Sequence, residues 1–242
     1  EVIPANHVVL WSSNVKLYAD MSRRMQTILT RFVPQTEVYS VDEAFLDFRG
    51  MDLTKLDELG HTISRTVRHS TGLPVSVGIA PTKTLAKIAS KLAKRYPKLD
   101  GCCYMHRPED IEKVLATFPL HEVWGIGRRY GKLFDSMRIT TARQFVELPE
   151  EWIHRRMGIT GLRTWRELQG IECIGFEQMP QQKQQITVSR SFPKSSNASS
   201  RSSLRCAPRS SAPSVLSAGR YTDSFSPTAT GTTSLSAMKR PC

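Results

Sequence analysis

The sequence predicts an α+β fold in three parts: a ferredoxin-like sheet that lacks its first strand, a small all-helical domain, and a disordered tail. Three observations support this. Up to residue 106, the spacing of apolar residues predicts helices and strands in the order α-β-β-α-β-α-β. Short helical segments separated by Gly turns follow from Pro119. From Ser195 onward, 14 of 48 residues are Ser with no hydrophobic period, so this part cannot bury enough apolar surface to fold.

The first predicted helix covers residues 17–33, where apolar side chains recur at steps of three and four residues. Two strands follow, at residues 37–41 and 44–48, and the turn between them carries Asp42 and Glu43. Neighbouring carboxylates repel each other unless a cation or hydrogen bonds hold them. This turn is therefore the first candidate site, because carboxylates held at strand ends are suitable ligands for magnesium.

The next elements are a helix from Leu53 to about Val67, a strand at residues 72–80, a lysine-rich helix and a strand at residues 100–106. Pro97 is expected to end the lysine-rich helix. This order resembles a ferredoxin-like sheet with its helices on one face and its first, central strand missing. A sheet of that kind would have an unpaired apolar middle. We expect that such a sheet does not close by itself, and we infer that residues before Glu1 are lost. The chain also begins with Glu1 and not with Met.

The lysine-rich helix has a basic face and an apolar face. Its lysines recur at steps of four or three, namely Lys83, Lys87, Lys91, Lys94 and Lys98. The opposite face, predicted to be buried, carries Leu85, Ile88, Ala89, Leu92 and Tyr96. Like charges at this spacing are unfavourable in an isolated helix. Beside two carboxylates, such a stripe favours a phosphate-binding face over an ordinary solvated one.

The segment VWGIGRRYGKLF predicts a second phosphate contact. Gly125 and Gly127 form a turn directly before a helix, where free backbone N–H groups and the positive helix end suit a backbone phosphate. Arg128, Arg129 and Lys132 add charge to the same turn. The alternative is a plain helix–helix turn in which glycine ends the first helix.

The composition agrees with a polyanionic partner. The chain holds 34 Lys and Arg against 22 Asp and Glu, a net charge of +12. The tail from Ser195 has six bases and one acid, so the remaining chain, with 28 bases and 21 acids, is basic in its own right. No apolar run approaches the roughly 20 residues of a membrane span.

The five cysteines are expected to be reduced thiols of a cytoplasmic protein. A zinc site of Cys102, Cys103 and His106 is the weaker alternative to a short buried strand there. The other histidines have no ligand spacing, and the four tryptophans are predicted to be core residues.

Taken together, the motifs YSVDEAFLDF, VGIAPTKTLAKIASKLAKRYP and VWGIGRRYGKLFDSM resemble those of the Y-family translesion DNA polymerases. SSNVKLYADMS and ITVSRSF add to the match in the same order. The resemblance runs from about Val8 to Phe192. It implies a polymerase palm at residues 17–117, a thumb with a helix-hairpin-helix at 118–178 and the start of a little finger at 179–194, after a remnant of the fingers–palm junction at 1–16.

The resemblance also implies roles for single residues. Asp42 and Glu43 would be catalytic metal ligands for two Mg²⁺ ions, and Lys94 would contact the incoming triphosphate. Lys83 and Lys87 would lie near DNA or phosphate, and Gly125 and Gly127 would grip the duplex backbone. The implied partners are a DNA primer–template, a dNTP, a cleaved UmuD dimer and a RecA filament. A sliding clamp is a further implied partner, although its binding region is missing here.

The chain departs from the family pattern at both ends. The first palm strand of the family bears another metal-binding Asp, followed by an aromatic residue that screens out ribonucleotides, and no Asp-x-x-x-Phe/Tyr pattern stands before Glu37. After Phe192 the little finger is replaced by the Ser-rich tail. The tail is either a disordered segment or the product of a shifted reading frame, and the abrupt end of coherent sequence favours the second. We therefore expect this chain to be inactive as a polymerase by itself.

Other functions remain as alternatives. One is a non-catalytic DNA-binding remnant that uses the basic helix and the glycine turn. A nucleotide cyclase would show Gly-Gly before the acids, where Ser40 and Val41 stand. An RNA-recognition sheet would need aromatic residues exposed on adjacent strands, a pattern that Tyr39 and Phe45 do not make.

Overall fold

The structure is a computed structural model that describes residues 12–177 and the backbone of a strand at Thr232–Ala237. All of these residues belong to one compact unit. The linker and little-finger start predicted at 179–194, and most of the predicted junction at 1–16, lie outside the described residues. The predicted boundary between palm and thumb at residues 117 and 118 stays a prediction.

Three helices accompany the sheet: α1 at Val15–Leu29, α2 at Leu56–Thr71 and α3 at Lys83–Arg95. Asn14 caps α1 by accepting a hydrogen bond from Leu17 N at 3.1 Å. The helix ends at Leu29 and not at residue 33 as predicted, because Pro34 has no N–H group to donate to the carbonyl of Thr30 in a continued helix. Helix α3 ends before Pro97 as predicted.

Five strands form one sheet: β1 at Thr36–Val38, β2 at Glu43–Asp47, β3 at Val75–Ala80, β4 at Cys102–Tyr104 and β5 at Thr232–Ala237. Their spatial order is β1-β2-β5-β3-β4. β3 and β4 pair in parallel, and every other neighbouring pair is antiparallel. The predicted order α-β-β-α-β-α-β is confirmed for α1 to β4.

The central strand comes from the tail. β5 pairs with β2 through Glu43 and Ser236, and with β3 through Ser76 and Ser236. In this structure β5 fills the place of the strand that was predicted to be missing. The prediction of disorder is wrong for Thr232–Ala237, and the rest of the tail lies outside the described residues. Composition misled here because two adjacent threonines at the start of this segment favour a strand locally, and an average over 48 residues hides them.

The helices pack on both faces of the sheet, so the prediction of helices on one face is wrong. Helices α1 and α2 share a core with Ala44, Leu46, Val75, Val77 and Ile79. Helix α3 covers the opposite face, where Gly78 allows close approach: a Cβ there would lie 2.1 Å from Ser90 N. The strand period of two explains the division, because alternate residues of β3 point to opposite faces.

Four further helices follow: α4 at Pro108–Thr117, α5 at Arg128–Ser136, α6 at Ala142–Val146 and α7 at Glu150–Leu168, which breaks at Gly158. The prediction of short helices separated by Gly turns is confirmed in part: Gly125 and Gly127 precede α5 and Gly158 breaks α7, whereas the loops before α6 and α7 contain no glycine. Their core includes Phe134, Phe145 and Ile153, and it is continuous with Leu85 and Ile88 of α3. Among the helices of residues 12–177, each is too short or too polar to cross a bilayer.

Buried Glu167 joins α7 to the start of α3. Its Oε2 atom accepts hydrogen bonds from Thr84 N at 2.9 Å and Thr84 Oγ1 at 2.7 Å, and its Oε1 atom accepts from Ile174 N at 2.9 Å. Its backbone oxygen accepts from Thr82 Oγ1 at 2.8 Å. A buried carboxylate is tolerated here because hydrogen bonds satisfy it and the positive end of α3 faces it.

A proline at Ser234 tests the assignment of β5. Because β5 has a neighbour on both sides, a residue without an N–H group removes a ladder hydrogen bond, and we expect Ser234→Pro to lower the free energy of unfolding by about 1–3 kcal/mol. Ser234→Thr keeps the N–H group and is the control. Denaturant unfolding with equal midpoints for the two variants would contradict a central strand at this position.

Candidate active site

The acidic turn is a tight hairpin between β1 and β2. Tyr39 N and Ser40 N both donate to Glu43 O, at 3.1 and 3.0 Å. Ser40 Oγ donates to Asp42 Oδ1 at 2.7 Å and accepts from Asp42 N at 3.2 Å. β1 ends at Val38 and not at residue 41 as predicted, and β2 lies one residue ahead of its predicted range, at Glu43–Asp47. The turn therefore holds both carboxylates at the start of β2, and the Ser40 hydroxyl fixes Asp42.

Lys87 of α3 faces the acidic turn. Its Nζ lies 3.0 Å from Glu43 Oε2, and its side chain is only 12% exposed. The ammonium also lies 4.0 Å from the ring centre of Tyr39 and 5.0 Å from that of Trp124. Trp124 Nε1 donates to the Tyr39 hydroxyl at 3.1 Å. An ion pair and two aromatic faces thus fix Lys87 beside Glu43.

Lys83 is a buried cation. Its side chain is 2% exposed, and Nζ donates to Glu37 Oε2 at 2.6 Å and to Gly175 O at 2.8 Å. The rings of Phe45 and Phe176 lie 4.9 and 4.7 Å away. In this structure Lys83 is the buried counter-ion of Glu37. The contact of Lys83 with DNA or phosphate stays a prediction.

The other lysines of the predicted stripe have different surroundings. Lys91 and Arg95 contact Glu122, with Arg95 Nη2 2.7 Å from Glu122 Oε2. Burial lowers the pKa of Lys91, and the nearby Glu122 carboxylate opposes that shift. Lys94 is exposed and has no ion pair among the described residues. The prediction that five lysines share one helical face is wrong for Lys98, because this residue lies beyond the end of α3.

The apolar face of α3 is confirmed for four of its five predicted residues. Leu85, Ile88 and Ala89 are buried, and Leu92 packs against the same core. The fifth prediction is wrong, because Tyr96 is 52% exposed. Tyr96 adopts extended backbone geometry at the end of the helix, so its side chain does not follow the helical period.

The glycine turn leads into α5 as the sequence predicts. Gly125 has a φ of +92° and approaches Thr164 so closely that a Cβ would lie 2.6 Å from its Oγ1 atom. Only glycine meets both requirements. Gly127 caps α5 without a side-chain hydrogen bond. Arg128, Arg129 and Lys132 are exposed and have no ion pair among the described residues.

One cavity of about 500 Å³ brings the three motifs together. Its lining combines the acidic turn, the basic helix and the glycine turn through Glu43, Lys87, Lys91, His121, Trp124, Gly125 and Gly127. The segments are separated by tens of residues in the sequence. The fold therefore brings three motifs that are distant in the sequence to one surface.

The residues at the acidic turn fit a magnesium ion that keeps water ligands. Asp42 and Glu43 supply hard oxygen donors, and Mg²⁺ commonly uses one or two carboxylates together with substrate phosphates. Asp47, the next acid along β2, is buried and engaged by Arg49 Nε at 2.8 Å. β5, whose Ser236 pairs with Glu43, contains no acid. Any ion must compete with Lys87 for Glu43.

Sequence reasoning missed several residues around this site. Glu37 and Glu167 are buried or half-buried acids that hold α3, and no local pattern distinguishes them from surface acids. Trp124 was predicted to be core, whereas it is half-buried and packs on Lys87 at the cavity. The weaker zinc alternative is wrong: Cys102 and Cys103 join different cores, and His106 stacks on Tyr104 with ring centres 4.3 Å apart.

The sequence matches the impB/mucB/samB family over residues 1–91. It is 42% identical to protein SamB of Salmonella typhimurium over 188 residues, which cover 76% of this chain and 44% of SamB. It is 42% identical to protein UmuC of Salmonella typhimurium strain LT2 over 187 residues, 76% of this chain and 44% of UmuC. A DNA polymerase IV of Methanoculleus marisnigri is 33% identical over 156 residues, 64% of this chain and 42% of that protein. The chain spans less than half the length of these relatives.

Solved structures of polymerases have a similar fold. A post-insertion binary complex of Dbh DNA polymerase matches with a TM-score of 0.60 at 24% identity, over 72% of this chain and 50% of that one. DinB from Sulfolobus solfataricus matches with a TM-score of 0.57 at 23% identity, over 68% of this chain and 48% of that one. These likenesses confirm the fold class that the sequence predicts.

Substitution of Glu37 tests whether its buried ion pair with Lys83 stabilises the elements that form this site. Glu37→Gln leaves the Lys83 ammonium buried without its counter-ion, so we expect the free energy of unfolding to fall by about 3–5 kcal/mol. Asp20→Asn is the control, because Asp20 pairs with exposed Arg23 and Arg24 and its loss should cost less than about 1 kcal/mol. If urea unfolding gives equal losses for the two variants, the buried pair does not support the site.

Proposed function

This chain belongs to the impB/mucB/samB family, and from that premise we propose that it is part of a Y-family translesion DNA polymerase. The proposed reaction is template-directed nucleotidyl transfer with two Mg²⁺ ions, on a primer–template that contains damaged DNA. The observation that supports this best is the cavity that the acidic turn, the basic helix and the glycine turn share. Each motif alone has an ordinary structural explanation, whereas their meeting at one cavity does not.

We propose that Asp42 and Glu43 are the metal ligands of this site. Bound Mg²⁺ would supply positive charge that neutralises the triphosphate and activates the attacking hydroxyl. The protein contributes the position of the carboxylates: hydrogen bonds of Ser40 hold Asp42, and the ion pair with Lys87 holds Glu43. Without an ion, Lys87 balances the charge of Glu43 and prevents two neighbouring acids from repelling each other.

Lys94 is proposed to contact the triphosphate, because it is an exposed cation in the last turn of α3. Lys87 lines the cavity and is proposed to lie near the same phosphates. Lysine suits this role as a point charge without a fixed direction of approach. Lys91 also lines the cavity, and its ammonium lies 4.0 Å from Glu122 Oε2.

The turn at Gly125 and Gly127 is proposed to bind the DNA backbone. The first N–H groups of α5 have no side-chain cap, and Arg128, Arg129 and Lys132 surround them with positive charge. Such contacts position a duplex without reading its sequence. The cleaved UmuD dimer, the RecA filament and the sliding clamp are proposed partners of the longer protein and rest on the family resemblance alone.

A non-catalytic DNA-binding piece is the second candidate function. It is favoured by the composition of β5, which fills the centre of the sheet beside Glu43 without an acidic residue. A site with two carboxylates, one of them paired with Lys87, is expected to bind metal weakly. We therefore propose that the chain by itself does not extend a primer.

Magnesium-dependent nucleotide binding separates the two candidates. For a polymerase piece we expect Mg²⁺ to increase dNTP affinity, and Asp42→Asn to remove about tenfold or more of that affinity, which corresponds to about 1.4 kcal/mol. Glu109→Gln removes one exposed acid of α4 and is the matched control.

Isothermal titration calorimetry with and without Mg²⁺ measures both variants. Nucleotide affinity that is the same with and without Mg²⁺, together with intact DNA binding, would favour the non-catalytic function. Primer extension by the purified chain would contradict the proposed inactivity and support catalysis with two carboxylates.

Salt dependence tests the DNA contacts of α5. Because each phosphate contact adds about 0.9 to the slope of log affinity against log salt, Arg128→Ala and Arg129→Ala together should lower that slope by about 1–2. Arg65→Ala is the control, since Arg65 is exposed on α2, across the sheet from α3. Fluorescence anisotropy with a duplex measures the slope, and an equal loss for Arg65→Ala would mean that the binding is diffuse.

A further inference from the structure

A second group of ligand atoms lies on the face of the sheet opposite to the candidate active site. Asp57 and His61 are one turn apart on α2, and Cys102 is the first residue of β4. One ligand atom from each lies within 4.8 Å of the other two, and among residues 12–177 this is the one group of three such side chains. Forty-five positions separate Asp57 from Cys102 along the chain, so only the fold brings them together.

The backbone around Cys102 is shaped to place its sulfur against α2. Cys102 is 2% exposed, and Gly60 leaves the space that its Sγ atom occupies, because a Cβ at residue 60 would lie 2.3 Å from that sulfur. Gly60 lies between Asp57 and His61 on the helix. The sulfur therefore sits at the turn of α2 that carries the other two ligands.

His61 is oriented by a backbone carbonyl. Its Nδ1 atom lies 3.3 Å from Asp100 O, so the tautomer that satisfies this carbonyl carries its proton on Nδ1. The Nε2 lone pair then remains available to a cation. Metal-binding histidines commonly donate their second ring N–H to a backbone carbonyl in this way.

We propose that Asp57, His61 and Cys102 bind a divalent transition-metal cation of the Zn²⁺ class. One oxygen, one nitrogen and one sulfur donor, with water as the fourth ligand, form a tetrahedral set that suits Zn²⁺. Mg²⁺ and Ca²⁺ prefer oxygen donors alone, so this site differs in chemistry from the carboxylates at Asp42 and Glu43. As the sulfur–metal bond forms, the Cys102 thiol releases its proton to solvent.

The ion would tie α2 to the edge of the sheet. β4 is an edge strand that pairs with β3 alone in the described sheet, and a cation shared by Cys102 and α2 would fix it. The site would thus stabilise the fold at a distance from nucleotide and DNA. The proposal is independent of the proposed function, because it rests on residues that this function does not use.

Titration of the full chain with Co²⁺ tests the proposal, since tetrahedral Co²⁺ bound to a thiolate gives sulfur-to-metal charge-transfer absorption. We expect this absorption in the unaltered chain and in Cys103→Ser, and its loss in Cys102→Ser. Cys103 is the matched control because it is the adjacent residue of β4 and packs into the core on the other face.

His61→Gln provides a second variant on the half-buried surface of α2, where substitution should not disturb folding. We expect its Co²⁺ affinity to fall by about 10–100-fold or more. Zn²⁺ should raise the midpoint of thermal unfolding of the unaltered chain and of Cys103→Ser, but not of His61→Gln. Charge-transfer absorption that survives in Cys102→Ser, or none at all in the unaltered chain, would overturn the proposal.

Discussion

The buried start of helix α3 is the contact on which the rest of the structure depends. Glu167 accepts hydrogen bonds from the backbone and hydroxyl of Thr84, and its own carbonyl accepts from Thr82. A charged carboxylate without exposure to water is stable only while these donors and the positive helix end remain in place. Because this contact fixes α3 against α7, it sets the distance between the lysines of α3 and the glycine turn that packs on Thr164. The cavity exists because α3 is held at this point.

The positive charge of α3 is used mainly inside the protein. Lys83 balances Glu37, and Lys87 balances Glu43. A row of lysines at helical spacing has a cost from mutual repulsion, and carboxylates of β1 and β2 offset it. The lysines of α3 and the acidic turn can therefore lie next to each other without a bound ligand. Lys87, which lines the cavity, and the exposed Lys94 are the lysines proposed to contact phosphate.

The sequence predicts those features that local periodicity and turn chemistry determine. The order of helices and strands, the end of α3 before Pro97 and the glycine turn before α5 follow from neighbouring residues. Contacts between distant residues could not be predicted in this way: Glu37 meets Lys83 across 46 positions, and Cys102 meets Asp57 across 45. β5 was missed because its six residues lie in a Ser-rich segment whose average composition indicates disorder. The two faces of the sheet were missed because strand alternation alone does not tell which helix covers which face.

The central claim is that the acidic turn and α3 together form a metal and triphosphate site. A crystal of this chain grown with Mn²⁺ and a dNTP tests it most directly, since an anomalous difference map locates Mn²⁺ without assumptions about the ligands. The account predicts Mn²⁺ at the carboxylates of Asp42 and Glu43, with the triphosphate toward Lys87 and Lys94. A map in which Lys87 still pairs with Glu43 and no Mn²⁺ lies at the turn would contradict it.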